Sequence, residues 1–514
     1  MSGPPPTIRP PTPEEIRDKA ADHFISLSED EVADFMEAMP GLLALYERLD
    51  KLPAPCSDVE FTDRDPGYRP SADENPHNAF VTRCRVEGAA DGPLTGYTVG
   101  LKDNIALAGV EMTCGSRLME GYVPRTDATV ATRLLAAGAT IVGKLNMEDM
   151  AFSGSGELSA FGPVSNPSAP DHLAGGSSSG SAAAVVADEV DIALGGDQAG
   201  SIRIPASWCG CIGLKPTYGL VPYTGIVGLG DSFDHTGPMT RSVEDCALAL
   251  DAIAGPDPFD DRQGAVTPDD YAAAVDDGLA TCTIGLLEEG FDLEESDPAV
   301  DETVRGAFRT LAAERDGVTV RDVSVPWHEE GLAIWNAVEI GATTALIRDE
   351  GVGHFTGGYY DTQFAAAFGR ARRTRADDLP PTLKLALVVG QYLADEYHNR
   401  YYAKAQNLRR ELAQAYDDAL AEVDFLALPT TPQTAHERRE DTTRSERIAR
   451  SIDMLGNTSP FNMSGHPAIS VPCGTVDGLP VGAMLVGGQF EDAAVLRAAN
   501  ALEGSGGETS DGTL

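Results

Sequence analysis

The chain has 514 residues, an ordinary hydrophobic content of 42% and an extreme formal net charge of −42. No apolar run reaches the about 18 residues of a membrane-spanning helix, and the amino terminus lacks the basic and apolar regions of a secretory signal. The eight cysteines suggest neither a disulfide framework nor a metal site, and the negative charge repels nucleic acid. We therefore expect a cytoplasmic protein with no membrane or nucleic-acid partner.

The amino-terminal residues 1–60 predict a small helical arm. Thr12, followed three residues later by Glu15, has the spacing of a capping box at the start of a helix, and a second helical pattern follows. Residues 53–77 combine prolines with polar residues and predict an irregular linker. At the other end, residues 506–514 are rich in glycine and polar residues and predict a flexible tail.

From residue 75 to residue 505, strand and helix patterns alternate along the chain. Short apolar runs are typical of buried strands, and amphipathic segments are typical of helices. The first predicted elements are a strand at 97–100, a helix at 128–137, strands at 139–142 and 190–194, and helices at 181–187 and 242–254. Such alternation predicts an α/β fold with a large mixed, mainly parallel sheet covered by helices on both faces.

The later part of this domain departs from the regular alternation. Two long helical patterns, at about 330–349 and 382–420, flank a loop-rich section at about 350–380. We therefore expect a lid or an inserted subdomain over about 290–400. Near the end, a Thr-Val-Asp-Gly-Leu-Pro segment between two apolar runs predicts a β-hairpin, and a helix at 491–503 closes the fold.

One stretch, Gly195 to Gly210, has a glycine-rich turn and then a serine, directly after a buried strand. Backbone N–H groups in such a turn can point the same way and bind an anion. Ser201, at the edge of the turn, would then attack a carbonyl carbon while those N–H groups hold the oxyanion. On this stretch alone, a tight strand-to-helix turn with a capping serine is an equally good interpretation.

Two upstream segments supply the groups that a nucleophilic serine needs. Lys102 lies where a β-prone run meets a loop, and Ser177 lies in a serine-glycine loop before an alanine-rich helix. A buried neutral lysine can act as the base, and a hydroxyl between the two can carry the proton. The same loop matches Gly-x-Ser-x-Gly around Ser178, but turn-forming residues precede it, whereas the nucleophile elbow of α/β-hydrolases requires a strand there.

Lys102, Ser177 and Ser201, in this order and spacing, resemble the amidase signature family. The resemblance extends over most of the chain from about residue 75. Eight short segments carry this resemblance, and they occur in the same order as in the family. Among them are GGSSSGS, GSIRIPA, GLKPTYGLVP, DHTGPMTRSVED and GHPAISVPCG.

The resemblance implies a role for each of these residues. Ser201 would be the nucleophile, Ser177 the bridging serine held through a cis peptide bond, and Lys102 the base. The family needs no cofactor, and no metal ligands are implied. The oxyanion hole would be formed by the backbone N–H groups of Gln198, Ala199, Gly200 and Ser201.

This sequence departs from the family at two positions in the loops. Ser179 and Ala199 stand where the family usually has glycine. If the turn requires a positive φ at Ala199, the side chain would cost about 1 kcal/mol and would displace the oxyanion hole.

Several residues around the nucleophile have weaker signals. Phe152 and Trp335 are predicted to form walls of the substrate pocket, with ordinary core aromatics as the alternative. Asp197 and Arg203, on either side of the turn, are predicted to form a structural ion pair. His235 has two interpretations, a residue that borders the site and an ordinary surface or core-edge histidine, and we favour the second.

The sequence therefore predicts an amidase that converts a linear carboxamide to a carboxylate and ammonia through a serine acyl-enzyme. The expected partner is a small-molecule amide, and a homodimer stays open. One alternative is the amidase-like component of glutamyl-tRNA(Gln) amidotransferase, which would need partner chains and which the long helical arm disfavours. A second is a catalytically inactive amide-binding protein, which the complete Lys-Ser-Ser set disfavours.

The negative charge also predicts a response to salt. It is spread along a chain with only seven lysines beside 31 arginines, which is typical of adaptation to concentrated salt, where screening removes the repulsion between like charges. We expect the protein to fold and to be active only at high ionic strength, such as in molar KCl. Equal melting temperatures in dilute buffer and in molar KCl would contradict this interpretation.

Overall fold

The computed structural model describes residues 8–53, 58–352 and 357–505. The predicted tail at 506–514 lies outside the described residues. By its internal contacts the chain divides into two compact units, one ending at Asp58 and one beginning at Val59.

The first unit contains the helices α1 (Pro13–Ala21) and α2 (Glu29–Leu49). Thr12 accepts a hydrogen bond from the backbone N–H of Glu15, whose carboxylate accepts one from the backbone N–H of Thr12. The predicted capping box is thus confirmed, and α2 begins with the same arrangement.

The second unit alternates strands and helices. In chain order they are β1 (Arg64–Tyr68), β2 (Phe80–Glu87), β3 (Thr98–Lys102), α3 (Thr129–Ala136), β4 (Thr140–Leu145), β5 (Ser165–Asn166), β6 (Ala169–Leu173), α4 (Ser179–Val186), β7 (Ile192–Asp197), α5 (Arg203–Cys209), β8 (Ile212–Lys215), β9 (His235–Thr240), α6 (Val243–Ile253), α7 (Tyr271–Asp276), β10 (Cys282–Leu287), α8 (Pro298–Glu314), β11 (Val318–Val323), α9 (His328–Arg348), α10 (Thr362–Arg375), α11 (Pro381–Tyr397), α12 (Arg400–Leu420), β12 (Phe425–Pro429), α13 (Arg444–Arg450), α14 (Ser459–Ser464), β13 (Ala468–Val476), β14 (Leu479–Val486) and α15 (Asp492–Glu503).

Twelve of these strands form one sheet in the order β1-β2-β4-β3-β7-β9-β8-β13-β14-β12-β10-β11. The pairs β4–β3, β3–β7, β12–β10 and β10–β11 are parallel. The remaining pairs of this described sheet are antiparallel.

The α/β class and the mixed sheet are therefore confirmed, but parallel pairs are a minority instead of the expected majority. Parallel neighbours need a crossover connection, whereas a tight turn joins antiparallel strands. Here β13 and β14 are joined by the predicted hairpin, whose turn residues Asp477 and Gly478 both have positive φ. The connection between β8 and β9 likewise contains no helix.

Helices cover both faces of the sheet, as the side chains of β7 indicate. Successive side chains of a strand point to opposite faces. Ala193 packs in a cluster with the small side chains of α4 and with α5. Its neighbours Ile192 and Leu194 belong to the larger cluster that includes Val243 and Cys246 of α6.

Three predicted segments differ from the structure. The helical pattern at 382–420 is two helices, because His398 and Asn399 adopt left-handed conformations between α11 and α12. The loop-rich section at 350–380 contains α10, which is capped by Asp361. The predicted linker at 53–77 contains the edge strand β1. Its sequence includes a proline and charged residues, which are not typical of a strand, so the sequence pattern did not predict it. The inserted subdomain at about 290–400 stays a prediction.

Candidate active site

The predicted residues Lys102 and Ser201 lie at the same edge of the sheet. Lys102 is the last residue of β3, and the turn that contains Ser201 directly follows β7. Because β3 and β7 are parallel neighbours, their carboxyl ends meet at one edge. Ser177, just before α4, completes the group through its contact with Lys102.

The side chain of Lys102 is fully buried. Its Nζ donates hydrogen bonds to Ser177 Oγ at 2.8 Å and to the carbonyl oxygen of Gly196 at 3.1 Å. Burial lowers the pKa of Lys102 to about 7, against the opposing effect of Asp197 and Asp234. Close to neutral pH, a large share of this amine is therefore uncharged and able to accept a proton.

The two serines are connected through the backbone. The peptide bond between Gly176 and Ser177 is cis, as the resemblance implies. The N–H of Ser178 donates to the carbonyl oxygen of Ser201 at 3.2 Å, which holds the two loops together. Within the described chain, no hydrogen bond joins Ser177 Oγ directly to Ser201 Oγ. Such catalytic contacts are often long in an enzyme without substrate.

A buried ion pair organises the turn. The carboxylate of Asp197 accepts the N–H groups of Gly200 at 2.7 Å and Ile202 at 3.2 Å, and it binds the guanidinium of Arg203 at 2.9 and 3.0 Å. Burial alone would raise the pKa of Asp197, but Arg203, together with Lys215 and Asn462, holds that pKa well below its usual range. The predicted structural ion pair is confirmed.

This arrangement divides the four N–H groups predicted for the oxyanion hole. Asp197 occupies the N–H of Gly200. Those of Gln198, Ala199 and Ser201 have no hydrogen-bond partner among the described residues. Three donors of the predicted four thus remain available to an anion.

The backbone of the turn shows why alanine is tolerated at position 199. Ala199 is not among the residues with positive φ, so the cost expected for its side chain does not arise. The left-handed conformation belongs to Gly200, with φ +125°, where a Cβ atom would lie 2.3 Å from Thr458 Oγ1. The turn therefore requires glycine at position 200, one residue after Ala199, where this sequence departs from the family pattern.

Ser201 borders a small cavity of about 50 Å³. The predicted wall residues Phe152 and Trp335 both line it, together with Gln198, Leu229, Glu339 and Ile452. Trp335 Nε1 donates a hydrogen bond to the carbonyl oxygen of Gln198 at 2.8 Å, which connects α9 to the turn.

Three buried carboxyl groups near the site were missed by the sequence analysis. Burial raises the pKa of Glu148 and of Asp234 to about 7, and the charges of both oppose the lowering of the Lys102 pKa. Burial also raises the pKa of Glu339, in the cavity wall, to about 8. A signal for Glu339 was present, since it lies four residues after Trp335 on the same face of a helix.

His235 is buried rather than at the surface. Its Nδ1 faces the carbonyl oxygen of Phe233 at 2.8 Å, and its Nε2 lies 3.5 Å from the Nζ of Lys215, which is fully buried. Burial lowers the pKa of both groups well below their usual values. His235 thus lies in the core and is not among the residues that line the cavity.

Some features are absent from the part of the chain that the structure describes. Residues 8–53, 58–352 and 357–505 contain no group of three or more His, Cys, Asp or Glu side chains placed to hold a metal ion. The seven cysteines in these ranges are all unpaired. No helix there is long and apolar enough to cross a bilayer.

The sequence model of the amidase family matches residues 72–496, which is most of the chain and contains the whole Lys102, Ser177 and Ser201 group. The chain belongs to the amidase family. Amide hydrolysis is therefore the function that family membership supports, and the mixed α/β fold agrees with it.

Two named relatives are each similar to this chain over most of its length. An enantioselective amidase of Rhodococcus rhodochrous is 41% identical, over 96% of this chain and 95% of that protein. A glutamyl-tRNA(Gln) amidotransferase component of Halobacterium salinarum is 42% identical, over 83% of this chain and 99% of that protein. Among solved structures, 6-aminohexanoate cyclic dimer hydrolase complexed with substrate is 30% identical with a TM-score of 0.70, over 81% of this chain and 86% of that chain.

The buried ion pair between Asp197 and Arg203 predicts how much stability the protein loses when Arg203 is replaced. Replacing Arg203 by Met leaves the Asp197 carboxylate buried and unpaired, so we expect the free energy of unfolding to fall by about 3–5 kcal/mol. Urea titration in molar KCl measures it. The control is Arg309→Met, which removes an exposed ion pair with Glu302 and should change stability little. Equal losses in the two variants would contradict the structural role of Asp197 and Arg203.

Proposed function

We propose that this amidase hydrolyses a linear carboxamide to a carboxylate and ammonia, with Ser201 as the nucleophile. The observation that carries the proposal is the hydrogen bond between the fully buried amine of Lys102 and Ser177 Oγ, beside the turn that holds Ser201. A lysine with a pKa of about 7 is a competent base near neutral pH.

The reaction begins with the attack of Ser201 on the amide, which forms a tetrahedral intermediate. Neutral Lys102 takes the proton of Ser177 Oγ, which takes the proton of Ser201 Oγ as that oxygen attacks the carbonyl carbon. The carbonyl oxygen becomes negatively charged and accepts hydrogen bonds from the N–H groups of Gln198, Ala199 and Ser201. The N–H of Gly200 stays with Asp197 and keeps the turn in shape.

Breakdown of this intermediate gives the acyl-enzyme and ammonia, and hydrolysis of the acyl-enzyme then releases the acid. The proton on Lys102 returns through Ser177 to the amide nitrogen, the C–N bond breaks and ammonia leaves. A water molecule then attacks the ester on Ser201 with the same proton route and the same N–H donors. The carboxylic acid leaves, Ser201 regains its proton, and the sum is one amide and one water converted to one acid and one ammonia.

The amidotransferase component is the second candidate function, because several relatives of about 42% identity carry that name. The share of the chain that is matched favours the amidase. The match to the Rhodococcus amidase covers 96% of this chain and therefore includes most of the helical arm. The match to the amidotransferase component of Halobacterium salinarum covers 83% of this chain. We further propose that the protein acts in the cytoplasm at high salt on a small-molecule amide. The homodimer stays a prediction.

Variants of the three residues test this assignment. We expect Lys102→Arg to lower kcat/KM for a simple carboxamide by about 10²–10⁴-fold, because arginine cannot give up its proton. Ser201→Ala should lose both turnover and covalent labelling by a serine-directed phosphonate. Ser177→Ala should lose most of the rate yet keep slow labelling, since only the proton relay is cut. Ammonia release and intact-protein mass measure the two properties.

The matched control is Ser179→Ala at the start of α4, two residues after Ser177, whose buried hydroxyl has no hydrogen-bond partner among the described residues. It should keep both turnover and labelling. Near-normal turnover of Lys102→Arg, or labelling of Ser201→Ala at the wild-type rate, would refute the assignment. Activity that requires added partner chains would favour the amidotransferase.

A further inference from the structure

Trp335 holds one peptide unit of the turn before Ser201 by its carbonyl oxygen. Its indole N–H donates a hydrogen bond to the carbonyl oxygen of Gln198 at 2.8 Å. Trp335 lies on α9 and is 8% exposed, and an indole has a single donor, which this contact uses. The hydrogen bond therefore joins the turn to a buried side chain that lies 137 residues further along the chain.

A peptide unit is planar, so a hydrogen bond to its carbonyl group also restrains its N–H group. In a trans peptide the C=O of one residue and the N–H of the next lie in one plane and point in opposite directions. The carbonyl of Gln198 and the N–H of Ala199 belong to the same unit. The indole of Trp335 therefore fixes the direction of the Ala199 N–H, which has no partner of its own among the described residues.

The other three peptide units between Asp197 and Ser201 are held in the same way. Their carbonyl oxygens accept hydrogen bonds from Asn462 Nδ2 to Asp197 at 2.9 Å, from the hydroxyl of Thr458 to Ala199, and from the N–H of Ile204 to Gly200 at 2.7 Å. Asn462 also bonds the side chains of Asp197 and Arg203, whereas the indole of Trp335 bonds the turn alone. Trp335 is thus the side chain whose effect on one N–H group can be isolated.

We propose that Trp335 is a positioning residue for the oxyanion hole, whose indole N–H keeps the N–H of Ala199 directed at the substrate's carbonyl oxygen as that oxygen gains charge. A donor that is oriented before the substrate arrives needs no reorganisation during the reaction. This role is separate from that of a cavity wall, which Trp335 also forms. The inference rests on the proposed amide hydrolysis at Ser201.

The same hydrogen bond strengthens the donor as well as directing it. A carbonyl group that accepts a hydrogen bond polarises its peptide unit, and the N–H group of that unit then donates more strongly. The effect is mutual, so a negative oxygen at the Ala199 N–H makes the carbonyl of Gln198 a better acceptor for the indole. The indole proton of Trp335 therefore reports the oxyanion through the peptide unit between them.

The kinetic test is Trp335→Phe, which removes the indole N–H and keeps an aromatic ring in the cavity wall. Loss of a whole oxyanion donor costs about 10²–10³ in kcat, so a donor that is present but no longer directed should cost roughly 10–100-fold. We expect this loss in kcat to be the same for acetamide and isobutyramide, with KM within about threefold of wild type. Ammonia release in molar KCl measures both constants.

The matched control is Trp208→Phe, which removes another buried indole hydrogen bond, to the carbonyl oxygen of Gln433 at 3.2 Å. It should lower the midpoint of urea unfolding about as much as Trp335→Phe does, because each variant loses one hydrogen bond of the same kind. It should leave kcat unchanged, since the indole of Trp208 holds no peptide unit of the turn.

Nuclear magnetic resonance tests the inference in the unaltered chain, and so even if Trp335→Phe does not fold. The protein has three tryptophans, and Trp208→Phe and Trp327→Phe identify the indole signal of Trp335 by elimination. The probe is isobutyraldehyde, because Ser201 Oγ adds to its carbonyl carbon, the serine proton passes to Lys102, and the former carbonyl oxygen becomes negative. We expect the Trp335 proton signal to move downfield on addition, but not in Ser201→Ala, where no oxyanion forms.

Several outcomes overturn the inference while leaving amide hydrolysis intact. Wild-type kcat in Trp335→Phe, or a loss confined to isobutyramide or to KM, would mean that Trp335 is only a cavity wall. An unmoved indole signal in the wild-type chain, or an equal shift in Ser201→Ala, would likewise contradict the inference. Failure of the wild-type chain on every simple carboxamide is a distinct result, which refutes the proposed function together with this inference.

Discussion

The burial of one amine is the constraint on which the site depends. Lys102 ends a strand in the middle of the sheet, and its Nζ has Ser177 Oγ and the carbonyl oxygen of Gly196 as its hydrogen-bond partners. Loss of water favours the neutral amine, while the carboxyl groups of Asp197, Asp234 and Glu148 favour the charged one. Because burial outweighs these charges, a residue that is normally a cation becomes a base near neutral pH.

The surrounding structure holds the turn beside Lys102 in a fixed conformation. Asp197 holds the N–H of Gly200 and is itself held by Arg203, whose guanidinium also donates to the carbonyl oxygen of Thr458 and to Asn462 Oδ1. The segment around α14 thus supports the turn after β7 from a distant part of the sequence. In the mechanism that we propose, the free N–H groups keep their direction because this network, and not the substrate, determines the conformation of the turn.

The parts of this account that the sequence could predict are those with local signals. Lys102, Ser177 and Ser201 lie in short segments with a clear chemical logic, and Asp197 and Arg203 flank the same turn. Glu339 has one local signal, its position four residues after Trp335 on the same face of a helix, but that signal does not by itself place a carboxyl group in the cavity wall. The antiparallel majority of the sheet was missed for a similar reason, since strand order depends on long-range pairing rather than on local pattern.

The central claim is that Lys102 is neutral in a large share of molecules near pH 7, and nuclear magnetic resonance can measure this directly. The chain has only seven lysines, so lysine labelled with ¹³C at Cε gives few signals, and the Lys102→Arg variant identifies the one in question. We predict that this signal titrates with a pKa near 7, the amine losing its proton as the pH rises. A Lys102 pKa close to the ordinary value of about 10.4 would contradict the account.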